Sequence, residues 1–334
     1  MGYRIGFDIG STTIKAVVLD ENNQICYKSY ERHKAQVRQK ALDKLVELKK
    51  YTKEPFKFAI SGSGALGLSE QGELPFVQEV FASATGVSKL YPETDCAIEL
   101  GGEDAKILFF QGSVEQRMNS TCAGGTGAFI DQMATLLNMS LEEMNEASLN
   151  YHRLYPIASR CGVFAKTDIQ PLINQGVDKC DLCASIFQAV VDQTITSLAQ
   201  GRKIEGNILF LGGPLYFMSG LRNRFVETLK LSDVQVNCPD TAINFVALGT
   251  AICADQEYTY DELYKALEDL VHAPAKLTES KPLFESDEDY QKFIERHKSH
   301  DAKFTDLKNY AGKAYLGIDS GCLLYTSDAA DDRI

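Results

Sequence analysis

Hydrophobic positions in this chain change period again and again, from two to nearly four and back, and each change marks an element. Tyr3 to Phe7 is an apolar run, the chain turns on Gly10, and alternation resumes at Ile14, Ala16 and Val18, which predicts two strands joined by a tight turn. Gln24 to Tyr30 reads as a third strand. Val37, Ala41, Leu45 and Leu48 then fall at helical spacing between charged residues, Phe56 to Ile60 returns to a strand, and Val77, Val80, Phe81 and Ala84 predict a helix facing the core. Further on, helical spacing recurs at Ala128, Phe129, Met133 and Leu136, at Phe164, Ile169 and Ile173, and at Ile186, Ala189, Val190 and Ile195. Ile208 to Leu211 is another strand, and Gln235 to Ala254 reads as a strand, a proline and a helix through Phe245, Leu248 and Ile252. Strands alternating with helices imply an α/β sheet architecture.

The first turn carries the chemistry. In Gly6-Phe-Asp-Ile-Gly-Ser-Thr-Thr-Ile-Lys15, a glycine flanked by small hydroxyl residues lets backbone N–H groups approach a phosphate; Lys15 can add a point charge, and Asp8 can hold a cation or its water. An ordinary glycine-containing hairpin would look similar. The design then repeats. Cys96-Ala-Ile-Glu-Leu-Gly-Gly-Glu-Asp-Ala-Lys-Ile-Leu-Phe-Phe110 is again a strand, a glycine turn with acidic residues, a lysine and a strand. Two such hairpins suggest a duplicated fold whose halves face each other across a nucleotide cleft. Ser61-Gly-Ser-Gly-Ala-Leu-Gly67 formally matches the dinucleotide pattern, but a lone match of this kind reads as a plain loop.

Composition narrows the class only a little. The 334 residues suffice for two domains, and a net charge of -12 argues against a dominant nucleic-acid role, since phosphate backbones are bound through clustered Lys and Arg. No run of eighteen apolar residues occurs and the N-terminus enters a strand directly, so neither a membrane span nor a signal peptide is expected, and the default location is the cytoplasm. Nine cysteines without an export signal are expected to be thiols, cluster ligands or core residues rather than disulfides. Cys180-Asp-Leu-Cys183 opens a helical pattern, and His33, His152, His272, His297 and His300 show no partner spacing for a zinc site. We read the pair, like Cys26, Cys96, Cys238 and Cys253, as packing residues.

With the third piece, Ile208-Leu-Phe-Leu-Gly-Gly-Pro214, the hairpins resemble the phosphate and adenosine motifs of the actin, sugar-kinase and Hsp70 ATPase superfamily. Met118-Asn-Ser-Thr-Cys-Ala-Gly-Gly-Thr-Gly-Ala-Phe-Ile-Asp131 and Ala158-Ser-Arg-Cys-Gly-Val-Phe-Ala165 look like the two cysteine segments of 2-hydroxyacyl-CoA dehydratase activators, in the BadF/BadG/BcrA/BcrD ATPase family. That resemblance covers roughly residues 3 to 254 and implies two ribonuclease H-like, actin-like ATPase domains facing a nucleotide cleft, plus a helical linker. It also implies ATP and ADP with Mg2+, and a 4Fe-4S cluster shared between two protomers or modules, to which Cys122 and Cys161 would each contribute a ligand. The implied activity is an ATPase coupled to electron transfer under anaerobic conditions. A ferredoxin or flavodoxin would be the donor, a 2-hydroxyacyl-CoA dehydratase or related reductase the acceptor, and the assembly a homodimer or a tandem-module pseudo-dimer. By the same resemblance Asp8, Glu99 and Asp104 would organise Mg2+ and water, Gly10, Ser11, Thr12, Thr13, Lys15, Gly101 and Gly102 would hold phosphates, and Gly212 and Gly213 would admit the adenine. Each cysteine precedes a helical run, where the positive end of the helix dipole favours a thiolate. Burial as a small apolar residue is the plainer alternative for either one.

The expected organisation is 1-94 with 241-256 as one ATPase subdomain, 95-240 as a second carrying the cluster cysteines, and 257-313 as a charged helical linker with Leu263, Leu267, Leu270 and Phe293 in its helices. Ala314-Tyr-Leu-Gly-Ile-Asp-Ser-Gly321 repeats the opening hairpin and looks like the start of a truncated second module, after which 322-334 reads as a non-native tail. Two positions depart from the family pattern: Glu99 stands where Asp is usual, and Pro214-Leu215 where a small pair is commoner. Two other functions compete. A small-molecule kinase acting on a sugar or N-acetylglucosamine needs a general-base carboxylate in the cleft, and here Asp131 falls inside a helix pattern. A non-hydrolysing ATP-binding regulatory module needs only the cleft.

Overall fold

The computed structural model describes residues 2–119, 126–158, 162–274, 282–298, 308, 310–313, 315 and 317. Residues up to Pro274 form one compact unit built on two five-stranded sheets. The first contains β1 (Arg4–Ile9), β2 (Thr13–Leu19), β3 (Ile25–Arg32), β4 (Phe56–Ser61) and β10 (Glu257–Tyr258), in the order β10-β4-β1-β2-β3. The second contains β5 (Cys96–Leu100), β6 (Ala105–Phe109), β7 (Glu115–Met118), β8 (Ile208–Leu211) and β9 (Val236–Asn237), in the order β7-β6-β5-β8-β9. In each, an antiparallel hairpin (β1 with β2, β5 with β6) runs parallel to a fourth strand on its other side (β4, β8), so the duplication legible in the hairpins extends to whole sheets.

Around the sheets run α1 (Val37–Glu47), α2 (Leu66–Gly72), α3 (Glu79–Leu90), α4 (Gly127–Leu137), α5 (Leu141–Ser148), α6 (Gly162–Asn174), α7 (Lys179–Thr194), α8 (Gly213–Phe217), α9 (Ser219–Leu229), α10 (Phe245–Cys253) and α11 (Tyr260–His272). Helices α3 and α10 lie between the sheets. Their Val80, Val87, Phe245, Leu248 and Ala251 share a core with Val17 and Leu19 of the first sheet and Ala97, Leu108, Leu209 and Leu211 of the second. The crossing is close because glycines line it: a Cβ on Gly249 would sit 2.1 Å from the Ala82 carbonyl oxygen, and one on Gly6 of β1 would sit 2.3 Å from that of Ala247. The buried face of α3 runs through Val80, Ala82, Ser83, Gly86 and Val87, whereas Phe81, expected in the core, is 62% exposed. The spacing was right and its phase was off, because small residues rather than the large ring face α10.

Two other expectations are corrected. Residues 257 to 274 are not linker: β10 pairs antiparallel with β4, and Leu263, Leu267 and Leu270 of α11 are buried in the core beneath the first sheet. A Thr259 capping box starts α11, and Arg38 of α1 ties its last turn by donating to the carbonyls of Leu270 (2.9 Å) and Ala273 (2.6 Å). The high charge density of this stretch belongs to the helix's outer face and masked its apolar stripe. Cys26, expected as a packing residue, is exposed on the edge strand β3. Cys183 does pack in the second core, beside Met139, and burial pushes its thiol up to about 12. The helical stretch Lys179–Ala199 is long and apolar enough to cross a membrane by length and composition, but it is mostly buried inside the protein and forms the central helix of the second core.

Beyond Pro274, α12 (Asp287–Lys298) has acidic residues in its first turn and Arg296, His297 and Lys298 in its last, matching the helix dipole. Of 314-321 only Tyr315 and Gly317 are described, and 322-334 lies outside the described residues.

Candidate nucleotide site

A cleft of about 930 Å3 lies between the sheets, and its walls are the turns of the two hairpins. Asp8, Gly10, Ser11, Thr12, Thr13 and Lys15 line it from the first sheet, Glu99, Gly101, Gly102 and Asp104 from the second, and Gly212 and Gly213 from the turn after β8. The structure therefore brings together the sequence-predicted site residues except Cys122 and Cys161, which lie outside the described residues. The two turns nearly touch, since a Cβ on Gly102 would sit 2.9 Å from Thr12 Oγ1. Gly212 has φ +88° and a Cβ there would meet the Leu100 carbonyl oxygen at 2.0 Å, so only glycine permits β8 to turn into α8 at this point. Helix α4 starts on the second turn: Gly127 N donates to Gly101 O (2.9 Å) and Ala128 N to Gly102 O (2.7 Å), which satisfies two amides at its N-terminus.

The hairpin register sets the electrostatics. Asp8 faces Lys15 across β1 and β2, and Glu99 faces Lys106 across β5 and β6, the same pairing in both copies. Lys15 Nζ lies 2.8 Å from Asp8 Oδ2; burial works against its charge, but the Asp8 carboxylate outweighs burial and holds the ammonium above the usual lysine range. The other Asp8 oxygen, Oδ1, is buried and has no hydrogen-bond partner among the described residues. Lys106 is 2% exposed and meets Glu79 (2.6 Å), Asp104 (2.7 Å) and Glu99 (3.4 Å). Burial opposes its charge too, and the three carboxylates override it, holding the ammonium well above the ordinary value. Glu79 is nonetheless pushed up, by burial first, with Asp8, Glu99 and Asp104 adding to it against Lys106. Lys106 has three anions around it, whereas Glu79 shares that cation with two other carboxylates and is not relieved of its burial. Ser83 of α3 donates to the second Glu99 oxygen at 3.2 Å.

Lys106, Glu79 and Ser83 are the site residues that sequence reading missed. Lys106 had a signal, since it stands seven residues after Glu99 as Lys15 stands seven after Asp8. Glu79 and Ser83 had none, because they arrive from a helix between the sheets. Gly62 and Gly64, in the loop with the dinucleotide pattern, pack against the first hairpin: a Cβ on Gly62 would sit 2.2 Å from Ile9 O, and one on Gly64 2.9 Å from Gly10 O. Asp131, set aside as lying within a helix, lines the cleft from α4, 3.6 Å from Arg32 of β3, in an exposed pair of little energetic weight. At the other end of the wall Tyr30 lies 6.0 Å from Phe217 ring to ring, with Lys15 Nζ 6.0 Å from its centroid.

Comparison with known proteins agrees with this architecture. A sequence model described as the BadF/BadG/BcrA/BcrD ATPase family matches residues 5–254. The chain is 27% identical over 266 residues to the 2-hydroxyisocaproyl-CoA dehydratase activator of Clostridioides difficile, covering 78% of this chain and 96% of that one. It is 28% identical over 257 residues to the (R)-2-hydroxyglutaryl-CoA dehydratase activating ATPase of Acidaminococcus fermentans, covering 75% and 96%. Among solved structures, the activator of the 2-hydroxyisocaproyl-CoA dehydratase from Clostridium difficile with bound ADPNP superposes with a TM-score of 0.67 at 26% identity, covering 81% of this chain and 98% of that one.

Proposed function

This chain belongs to the BadF/BadG/BcrA/BcrD ATPase family, and from that premise we propose that it is an ATP-driven activator of a 2-hydroxyacyl-CoA dehydratase or related reductase, relaying a low-potential electron from a cytoplasmic ferredoxin or flavodoxin. The observation that carries this reading is the cleft, walled by two copies of one acidic, lysine-bearing hairpin within a family of ATPases. In this reading the turn Gly10 to Thr13, with Lys15, and Gly101 and Gly102 opposite, hold phosphates, while Gly212 and Gly213 admit the adenine. The buried, unpaired Asp8 Oδ1 suits Mg2+ or a water in its shell, since that ion takes hard oxygen ligands. Asp104 is the second carboxylate at the turn. Glu99, its oxygens engaged by Ser83 and Lys106, acts by positioning Lys106.

Cys122 and Cys161 are the proposed ligands of a 4Fe-4S cluster, which would supply one-electron chemistry at low potential. Such a centre takes four thiolates, so two per chain require two copies, or two tandem modules, to meet. The support for this part is the resemblance of the cysteine segments and the names of the relatives. Helix α4 contributes an independent reason for coupling: it begins on the Gly101-Gly102 turn and lies just beyond the Cys122 segment, so a shift of that turn with nucleotide would move it.

Oxygen-free purification with iron and sulfide analysis, followed by EPR after dithionite reduction, tests the reading. We expect iron in the wild type, none in Cys122→Ser, and the same ATP affinity in both. Colourless wild-type protein that still hydrolyses ATP would remove the electron-transfer part. Because Asp131 lines the cleft, phosphorylation of a sugar or N-acetylglucosamine by iron-free protein would favour the kinase alternative instead.

A further inference from the structure

His33 follows β3 and is 4% exposed. Its backbone N–H and both ring nitrogens bond to the first turn or to Ala35, and its carbonyl accepts from Gln36 N at 2.8 Å. His33 N donates to Thr12 O (3.2 Å), Ala35 N donates to the ring Nδ1 (3.2 Å), and Nε2 lies 3.0 Å from Gly10 O. Because Nδ1 accepts a hydrogen bond it carries no proton, so the neutral ring is protonated at Nε2 and donates from there to the Gly10 carbonyl. Lys34 and Ala35 bring the Ala35 amide back to the ring by adopting φ of 50° and 62°, a left-handed pair that side-chain-bearing residues seldom occupy. Backbone strain of this kind persists where its surroundings over-determine it. The Gly10 amide is committed as well, donating to Thr13 O at 2.9 Å, and Gly64 closes on the Gly10 carbonyl from the neighbouring loop.

We propose that His33, as its Nε2–H tautomer, is a positioning residue that holds the Gly10 to Thr13 turn in its phosphate-receiving shape before nucleotide arrives. The inference rests on the reading that this hairpin binds phosphate. An imidazole is suited to the task because one ring nitrogen can be oriented by Ala35 while the other grips Gly10, two jobs at opposite edges of one rigid plane.

The test exploits that geometry. In His33→Gln the amide nitrogen reaches roughly where Nε2 lies, whereas in His33→Asn the amide oxygen replaces only the Nδ1 acceptor and no donor reaches Gly10 O. Calorimetry with ATP, with tripolyphosphate and with adenosine should show His33→Asn weakened about tenfold for the first two ligands, the scale of one lost hydrogen bond, and unchanged for adenosine. His33→Gln should stay within about twofold of wild type, since it keeps that bond. Wild-type affinity for tripolyphosphate in His33→Asn, or an equal loss for adenosine, overturns the proposal. Should His33→Asn fail to fold, the 15N spectrum of the wild-type ring decides: a proton on Nε2 is expected, and one on Nδ1 refutes the assignment. If the wild-type chain binds neither ATP nor tripolyphosphate, the nucleotide reading falls and takes this inference with it; ATP binding indifferent to His33→Asn sinks this inference alone.

Discussion

Lys106→Met removes the cation that Glu79, Glu99 and Asp104 share. Asp104, 37% exposed in its side chain, keeps much of its hydration, so the burden falls on Glu79 and Glu99, with side chains 21% and 9% exposed. Breaking a buried ion pair by deleting one partner costs about 3–5 kcal/mol when the other charge is left unpaired. A carboxylate has a way out, which is to take up a proton. From an ordinary glutamate value near 4.3, that step costs about 3.7 kcal/mol at pH 7, at about 1.36 kcal/mol per pH unit, and only about 1 kcal/mol at pH 5. The two estimates meet at roughly 3–4 kcal/mol lost at neutral pH. The sign follows from proton counts. In the variant the folded state binds a proton that the unfolded state does not, so the variant loses stability as pH rises from 5 to 7. In the wild type the Lys106 ammonium is held above 10.5, so its contribution is complete across that window and is lost only in alkali. Urea unfolding of both proteins at pH 5 and pH 7 measures the difference, and the gap between them should shrink by about 2–3 kcal/mol at the lower pH. A gap that is the same at both values, or below about 1 kcal/mol at pH 7, would show that Lys106 is not neutralising a desolvated carboxylate.

Other expectations follow from distances already given. Gly249→Ala places a methyl group 2.1 Å from the Ala82 carbonyl and should destabilise the protein by about 1–3 kcal/mol in the same assay, whereas Gly67→Ala in α2, with nothing within 4 Å, should gain about 0.5–1 kcal/mol. Iodoacetamide at pH 8 should label Cys26 and spare Cys96 and Cys183, whose thiols burial pushes up to about 12; mass mapping that finds either modified before unfolding contradicts their packing. Gly102→Val, which would thrust a branched side chain at Thr12, should abolish nucleotide binding, read by calorimetry, while the urea midpoint of the protein stays near that of wild type.

Much of the site was legible because it is local. A turn such as Gly10 to Thr13 or Gly101 to Asp104 is written in consecutive residues, and its repetition named both cleft walls. The carboxylates and lysines inside each hairpin were equally accessible, Lys106 included, once strand register is counted. What stayed hidden comes from elsewhere in the chain: Glu79 and Ser83 from a helix between the sheets, Gly62 and Gly64 from a loop, His33 from the end of an edge strand. Such contacts depend on how elements cross, and α3 shows the difficulty, since its face is chosen by its close approach to Gly249 of α10 and not by its own largest side chain. The charged stretch after residue 256 misled for a different reason, because three leucines at helical spacing are outnumbered by the ionic residues between them.

That last stretch bears on anyone who shortens the gene. A fragment trimmed to the borders of the family match, 5–254, discards the strand that covers one flank of β4 and the leucines that seal the floor beneath Phe58, leaving a bare sheet edge and an open hydrophobic floor. Such a fragment should clump on expression. A version carried through Pro274 keeps the Arg38 tether and should remain monodisperse.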